Sequence, residues 1–270
     1  MADERGGDMV LDDTQAATRP TRQSAGVVSV LNALRILEAV SHQQPVGVSE
    51  LSRHVDLPKS SVQRSLRTLE SAGWLRMVDR SRWGLTAKAL GIGLRASGEW
   101  DIRTVAQPVM RRLCAETNET VHLVLRDDDE GIVAAREDSS QTIRTYVALG
   151  TRAPLYATSS GIAIMSRLPE EETAAILDGD LKSFTDTTVT DPELLMGEVR
   201  RTAERGYAFN PSSWWRPHVA AVAAPILNGA GEPLAALVIS IPDFRVTEEV
   251  AAAIGESVRA AATEVCSQLP

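Results

Sequence analysis

The stretch LPKSSVQRSLRTLE, residues 57–70, sets Lys59, Arg64 and Arg67 against one acid, Glu70, with Ser60, Ser61 and Gln63 among them. Those side chains together suit a polyanion: Arg and Lys meet phosphates, while hydroxyls and an amide reach base edges. A second stretch, LYATSSGIAIM, groups Thr158, Ser159, Ser160 and Gly161 at the start of an expected helix. Free backbone N–H groups there suit a carboxylate; an ordinary Ser/Thr cap with nothing bound is the alternative. Other chemistry is not prepared. TSSG is not a G-x-S-x-G elbow, and no His with a supporting acid is arranged to activate Ser159 or Ser160. No GxGxxG opens a βαβ unit and there is no P-loop. His42, His54, His122 and His218 lack metal-ligand spacing among themselves or with Cys114 and Cys266. No catalytic residue, metal ligand or cofactor is assigned, and the chain reads as something other than an enzyme.

The charge is divided unevenly. The 270-residue chain has a formal net charge of −8. Residues 25–99 nevertheless hold ten Lys and Arg against six Asp and Glu, whereas residues 100–270 hold fifteen against twenty-five. A basic module on an acidic chain meets a polyanion while the remainder is repelled. Residues 1–24, net −2, read as a disordered tail. No apolar run reaches the ~18 residues of a membrane span, and the N-terminus lacks a signal-peptide pattern. With two cysteines and no CxxC, a cytoplasmic chain is expected.

The elements that must position these residues can be read from periodicity. Val27, Val30, Leu31, Leu34 and Leu37 form one face of a first helix, and VSELSRHV is a second, with Ser49 as N-cap. A turn at Asp56-Leu57 and Pro58 lead into a third helix, with Val62, Leu66 and Leu69 inward and Gly73 as its stop. WLRMV and WGLT then form two strands around Asp79–Arg82. Three helices and a two-stranded wing make a winged helix-turn-helix. Its third helix enters the ~12 Å major groove, with Arg80 and Arg82 of the wing over a phosphate or minor groove. The expected DNA-binding residues are therefore Lys59, Ser60, Ser61, Gln63, Arg64, Arg67, Arg80 and Arg82.

The second half reads as α+β. A linker covers residues 86–100, and a helix follows over DIRTVAQPVMRRLCAETNE, interrupted near Pro108. Strands are expected at VHLVLR, GIVAARE, IRTYVAL, GYAFN, VAAVAAPIL and PLAALVISI, with turns at Asp127–Gly131 and Asn228–Gly231. Helices are expected near 159–167, 170–178, 191–205 and 247–268, with Thr190 and Glu193 as a capping box and Gly206 as a stop. The sum is a mostly antiparallel six-stranded sheet covered by helices.

The order of ELSRHVDLPKSSVQRSLRTLESAGWLRM, RWGLTAKALGIG, LCAETNETVHLVL, LYATSSGIAIMSRLPEEE, FTDTTVTDPELL, RRTAERGYAF and VAAVAAPILNGAGEPLAALVISIP resembles the isocitrate-lyase-regulator (IclR) family of bacterial transcription factors. The resemblance covers about residues 27–268. It implies a winged helix-turn-helix (25–85), a linker helix (86–100) and a GAF-like effector and oligomerisation domain (101–270), with the loop at Ser159–Gly161 gripping a carboxylate. It also implies a homodimer on a double-stranded operator, paired into a dimer of dimers, with effector binding relayed through the linker helix.

The chain departs from the family's pattern after GYAF, where it reads NPSSWWRPHVAAVAAPI. The family's ligand-facing acid falls on Asn210, its Cys or Ser on Ala221, and a commonly polar position on Val238, while Ser240 stays polar. Trp214 and Trp215 add indole surface, either to the pocket or to a packing or oligomer contact. Arg216 pairs either with the ligand or with a surface acid. A small carboxylate with an aromatic or apolar body suits such a wall better than a small keto acid. The expected effector contacts are Ser159, Ser160, Gly161, Asn210, Trp214, Trp215, Ala221, Val238 and Ser240. The reading is a ligand-responsive regulator, more often repressor than activator, of a catabolic operon. A ligand-independent architectural DNA-binding protein is the alternative, and an enzyme of the GAF-like domain a more remote one.

Overall fold

The computed structural model describes residues 27–96, 101–211 and 214–269. The expected tail at 1–24 and the end of the expected linker at 97–100 lie outside them. The chain divides into two units between Ala96 and Ser97.

The first unit runs α1 (Val28–Gln43), β1 (Val46–Gly47), α2 (Val48–His54), α3 (Lys59–Ser71), β2 (Leu75–Met77), β3 (Arg82–Leu85) and α4 (Ala87–Ala96). The inward stripe of α3 is buried as its spacing requires, with Val62, Leu66 and Leu69 against Ile36, Val40, Leu51, Leu75 and Trp83. The wing holds a third strand that propensity did not disclose: β1 pairs with β3 through Val46 and Trp83, giving the order β1-β3-β2. The helix α3 ends in a Schellman motif, where Gly73 (φ +77°) donates to Glu70 O and Trp74 to Leu69 O.

Two expectations are corrected here. The face of α1 carrying Val27, Val30, Leu31 and Leu34 is exposed and Leu37 is only half-buried, whereas Ile36, Ala39 and Val40 are buried. At 3.6 residues per turn the two stripes lie on nearly opposite sides of the helix, so α1 is apolar twice and only one side meets the core. Ser49 lies inside α2; the cap position is Gly47, whose N–H donates to Glu50 Oε2 at 3.1 Å. Pairing of β1 with β3 fixes that start.

The second unit begins with α5 (Ile102–Thr117), followed by β4 (Thr120–Asp127), β5 (Glu130–Glu137), β6 (Arg152–Pro154), a 3₁₀ turn at Leu155–Ala157 and α6 (Ser159–Met165). Then come α7 (Glu170–Leu177), α8 (Pro192–Arg205), β7 (Ala208–Asn210), β8 (Val219–Leu227), β9 (Pro233–Pro242) and α9 (Glu248–Cys266). The six strands form one antiparallel sheet in the order β6-β5-β4-β9-β8-β7. One face carries Val121, Leu123, Leu237, Ile239, Val222 and Ala224 against α5 and α9. The other carries Val124, Ala236, Val238, Ala223 and Ala208 against α6 and its neighbours.

Three further expectations change. The helix α5 runs through Pro108 unbroken. Pro108 is exposed, so the carbonyl it leaves unpaired can be hydrated, while Ala106, Val109, Met110 and Leu113 hold the inner side. IRTYVAL is not a strand, and the sixth strand is β6. Thr145 and Val147 do alternate inward, but through side chains: Thr145 Oγ1 donates to Ser240 O, and Arg136 Nη1 to Val147 O. The cap of α8 is Asp191, not Thr190, accepting from Glu193 N (2.8 Å) and Leu194 N (3.1 Å) ahead of Pro192.

Truncation inside the small first core is expected to be costly. Leu66→Ala should lower stability by about 2–5 kcal/mol, read as an earlier urea transition of the first unit. A change under 1 kcal/mol would contradict the burial described for α3.

Candidate functional site

The residues expected to face a polyanion gather on α3 and the wing, with unequal freedom. Lys59 and Ser60 are exposed in the first turn of α3, Arg64 is exposed one turn on, and Ser61 and Gln63 are half-buried. Among the described residues Lys59, Arg64 and Arg80 have no ion-pair partner. Arg67 is different: its Nη1 lies 3.0 Å from Glu70 Oε2, and its guanidinium sits over Trp83 at 5.6 Å. Arg82 is committed too. Asp79 accepts from Ser81 N, Arg82 N and Arg82 Nε, the last at 2.6 Å. The Ser81 amide and then Arg82 hold the Asp79 carboxyl below the usual carboxylate range. Of the two arginines at the wing tip, Arg80 and Arg82, Arg80 carries the uncompensated charge.

In the second unit the ladder register builds a polar corner. Thr120 opposes Ser240, Ser240 opposes Ala221, and Ala221 opposes Asn210. The adjacent row sets His122 against Val238 and Val238 against Ala223. Directly opposed residues share a face, and residues two apart do so as well. Both rows therefore point away from α5 and α9, toward the start of α6. There a cavity opens, with about 640 Å³ of space not filled by atoms, part of it open to solvent.

Seven of the nine expected effector contacts line this cavity: Ser159, Ser160, Asn210, Trp215, Ala221, Val238 and Ser240. Val124, Val133, Val147 and Ala153 complete an apolar wall. Gly161 and Trp214 are not among the lining residues. A Cβ at Gly161 would lie 2.0 Å from Leu155 O, so that glycine is spent on the close approach of α6 to the preceding turn. Trp214, whose carbonyl accepts from Thr188 Oγ1, lines a separate groove with Phe209 and Val246.

The start of α6 is also less free than its sequence suggests. Thr158 Oγ1 accepts from Gly161 N at 3.0 Å and from Ser160 Oγ at 3.1 Å, leaving the Ser159 and Ser160 amides as donors outside the cap. With seven residues in α6 the dipole contribution is small.

Two lining residues were not among the expected contacts. His122 is buried at 2 % exposure; its Nδ1 is 3.3 Å from Ser240 Oγ, and its Nε2 has no partner. Burial first, then the positive charge of Arg136, push its pKa down to about 4; Asp138 opposes them, and Arg216 adds a smaller lowering. Arg216 is half-buried, with its guanidinium 4.4 Å from the centre of the Trp215 ring. Strict alternation along β4, with Val121 and Leu123 on the other face, was the signal that could have placed His122.

Residues 29–79 match the IclR helix-turn-helix domain, and residues 95–267 match the C-terminal domain of the bacterial transcriptional regulator IclR. The chain is 34% identical over 242 residues to the HTH-type transcriptional regulator KipR of Bacillus subtilis, covering 89% of this chain and 96% of that one. It is 29% identical over 254 residues to the transcriptional repressor IclR of Escherichia coli, 92% of each chain. A Microbacterium hydrocarbonoxydans IclR homologue, solved with 4-hydroxybenzoate, shares the fold at a TM-score of 0.76 and 24% identity, over 89% of this chain and 98% of that one.

The burial of His122 predicts a pH dependence. The unfolded chain takes up this proton near pH 6.5, the folded chain near pH 4. The contribution of neutral His122 is therefore present above pH 6.5 and is lost as pH falls toward 4. The difference in urea midpoint between wild type and His122→Gln should change across that window and be flat above pH 7. A difference independent of pH would contradict the assignment.

Proposed function

Because this chain belongs to the IclR family of bacterial transcriptional regulators, we propose that it is an operator-binding repressor released or retained by a small organic acid. Its relatives are transcriptional regulators, not enzymes. The observation that carries the reading is a cavity whose wall is apolar and whose few polar groups converge at one corner of the sheet. That suits a compact acid with an aromatic or apolar body, with Ser159, Ser160, Asn210 and Ser240 as polar contacts and Trp215, Ala221 and Val238 as wall. The fold neighbour that holds 4-hydroxybenzoate supports an aromatic acid. The reading extends to a cytoplasmic regulator of a catabolic operon that responds when the acid is available.

DNA is met by Lys59, Ser60, Ser61, Gln63 and Arg64 of α3 and by Arg80 of the wing, with Arg67 and Arg82 held by their own acids until a phosphate competes. We also read the chain as a homodimer, itself paired. The second apolar side of α1, with Leu31 and Leu34 about half exposed, supports a protein contact in the DNA-binding unit. For the acid to switch anything, its affinity must differ between the operator-competent and incompetent states.

Gln63→Ala or Arg64→Ala should cost about 1–3 kcal/mol on the cognate operator and less on random DNA. Arg80→Ala should weaken all sequences alike and flatten the salt dependence. Fluorescence anisotropy at several salt concentrations separates the two; equal losses on both DNAs for all three variants would remove base reading from α3. Adding benzoate, 4-hydroxybenzoate, glyoxylate or pyruvate to the operator complex should shift its midpoint for an aromatic member and not for the keto acids. A response confined to the keto acids would overturn the aromatic preference, and no response to any would favour the ligand-independent architectural reading.

A further inference from the structure

We infer that Arg216 and His122 form an oxyanion subsite in the cavity, Arg216 supplying the charge for the effector's acid group and His122 Nε2–H a hydrogen bond to a ligand oxygen. This rests on the cavity being the effector site, and it decides which end of that site the acid occupies. Three independent observations support it.

The first is the charge of the wall. Among the described residues that line the cavity, Arg216 is the one charged side chain, and no Asp or Glu is present. A wall with one cation and no acid favours an anion and rejects a cation.

The second is the company that arginines keep in this unit. The other half-buried ones pair with carboxylates: Arg103 with Asp101, Arg126 with Glu172, Arg136 with Asp138, Arg205 with Glu198 and Arg245 with Glu119. Arg216 has no ion-pair partner among the described residues, although residues 100–270 carry a large excess of acid. Instead the Trp215 ring supports it from one side, 4.4 Å away, which leaves the fork of the guanidinium for a planar carboxylate.

The third is the orphaned nitrogen. His122 Nε2 is buried with no partner, and a buried polar atom left unpaired carries a desolvation penalty that a ligand oxygen would remove. If Ser240 Oγ–H donates to Nδ1 across the 3.3 Å contact, Nε2 carries the proton and can donate to that oxygen. With its low pKa His122 does this as a neutral donor, so the charge comes from Arg216. The uncharged donors at Ser159 and Ser160 are left for the rest of the molecule.

The test uses full-length protein and isothermal calorimetry with acid and amide pairs: benzoate and benzamide, 4-hydroxybenzoate and 4-hydroxybenzamide, pyruvate and pyruvamide. Wild type should prefer at least one acid to its amide by about tenfold or more, the scale of a charge-assisted pair. Arg216→Gln should erase that preference while leaving the amide's affinity unchanged, and Arg216→Lys should restore part of it. His122→Phe should weaken the bound acid and its amide alike. An intact preference in Arg216→Gln, lost instead in Ser160→Asp, would put the acid at the start of α6 and overturn the inference while leaving the proposed function standing. If wild type binds no acid of any pair, the acid-sensing reading fails and this subsite with it. Thermal melts of each variant exclude unfolding as the cause of a lost preference.

Discussion

A six-stranded antiparallel sheet whose central strands are covered on both faces governs the second unit. Because side chains alternate along a strand, each central strand must serve two cores at once. The face of β4, β9 and β8 toward α5 and α9 does so with an unbroken apolar set, Val121, Leu123, Ile239, Leu237, Val222 and Ala224. The opposite face is apolar only in part. At one end its two ladder rows place Thr120, Ser240, Asn210 and His122 where a core would otherwise continue. Buried polar groups need partners, so this corner is held by Thr120, Thr145 and Ser240 in mutual hydrogen bonds, and the remaining space is a cavity rather than a packed layer.

Electrostatics separates the two units as clearly as packing does. In the acidic second unit, ion pairs between loops and helices absorb most arginines, as Glu119 does by holding Arg245 through both oxygens at 2.9 Å. In the basic first unit the acids are used sparingly, to orient Arg67 beside Glu70 and Arg82 beside Asp79. Among the described cations of α3 and the wing tip, Lys59, Arg64 and Arg80 stay unpaired and face solvent. Exposed pairs are worth little in stability, so their effect is to aim side chains: they fix Arg67 and Arg82 and leave Lys59, Arg64 and Arg80 without an acid.

Much of the fold was legible because its signals are local. The stripe Val62, Leu66, Leu69 with Gly73 as stop defined α3, and alternation with turn residues defined β4, β5, β8 and β9. The misreadings arose where local signals compete. In α1 two apolar stripes satisfy the same period, and only contact with α3 and β3 shows that Ile36 and Val40 are inside. In IRTYVAL the alternation of Thr145 and Val147 is real, but their bonds run through side chains rather than a ladder. Pro108 signals a break that burial of α5 on its inner side overrides.

By itself the sequence determined the helix α3 with its exposed cations, the antiparallel sheet and most of the cavity wall, because each follows from spacing along a single element. Only the tertiary structure decided which indole faces the cavity, that Gly161 supports α6 rather than a ligand, and that Arg82 is held by Asp79. Only there do His122, Ser240 and Arg216, distant in sequence, meet in one cavity. The physical reason is common to all of these. A contact between elements depends on strand register and on which of several similar faces is covered, and neither quantity is carried by the residues of one segment.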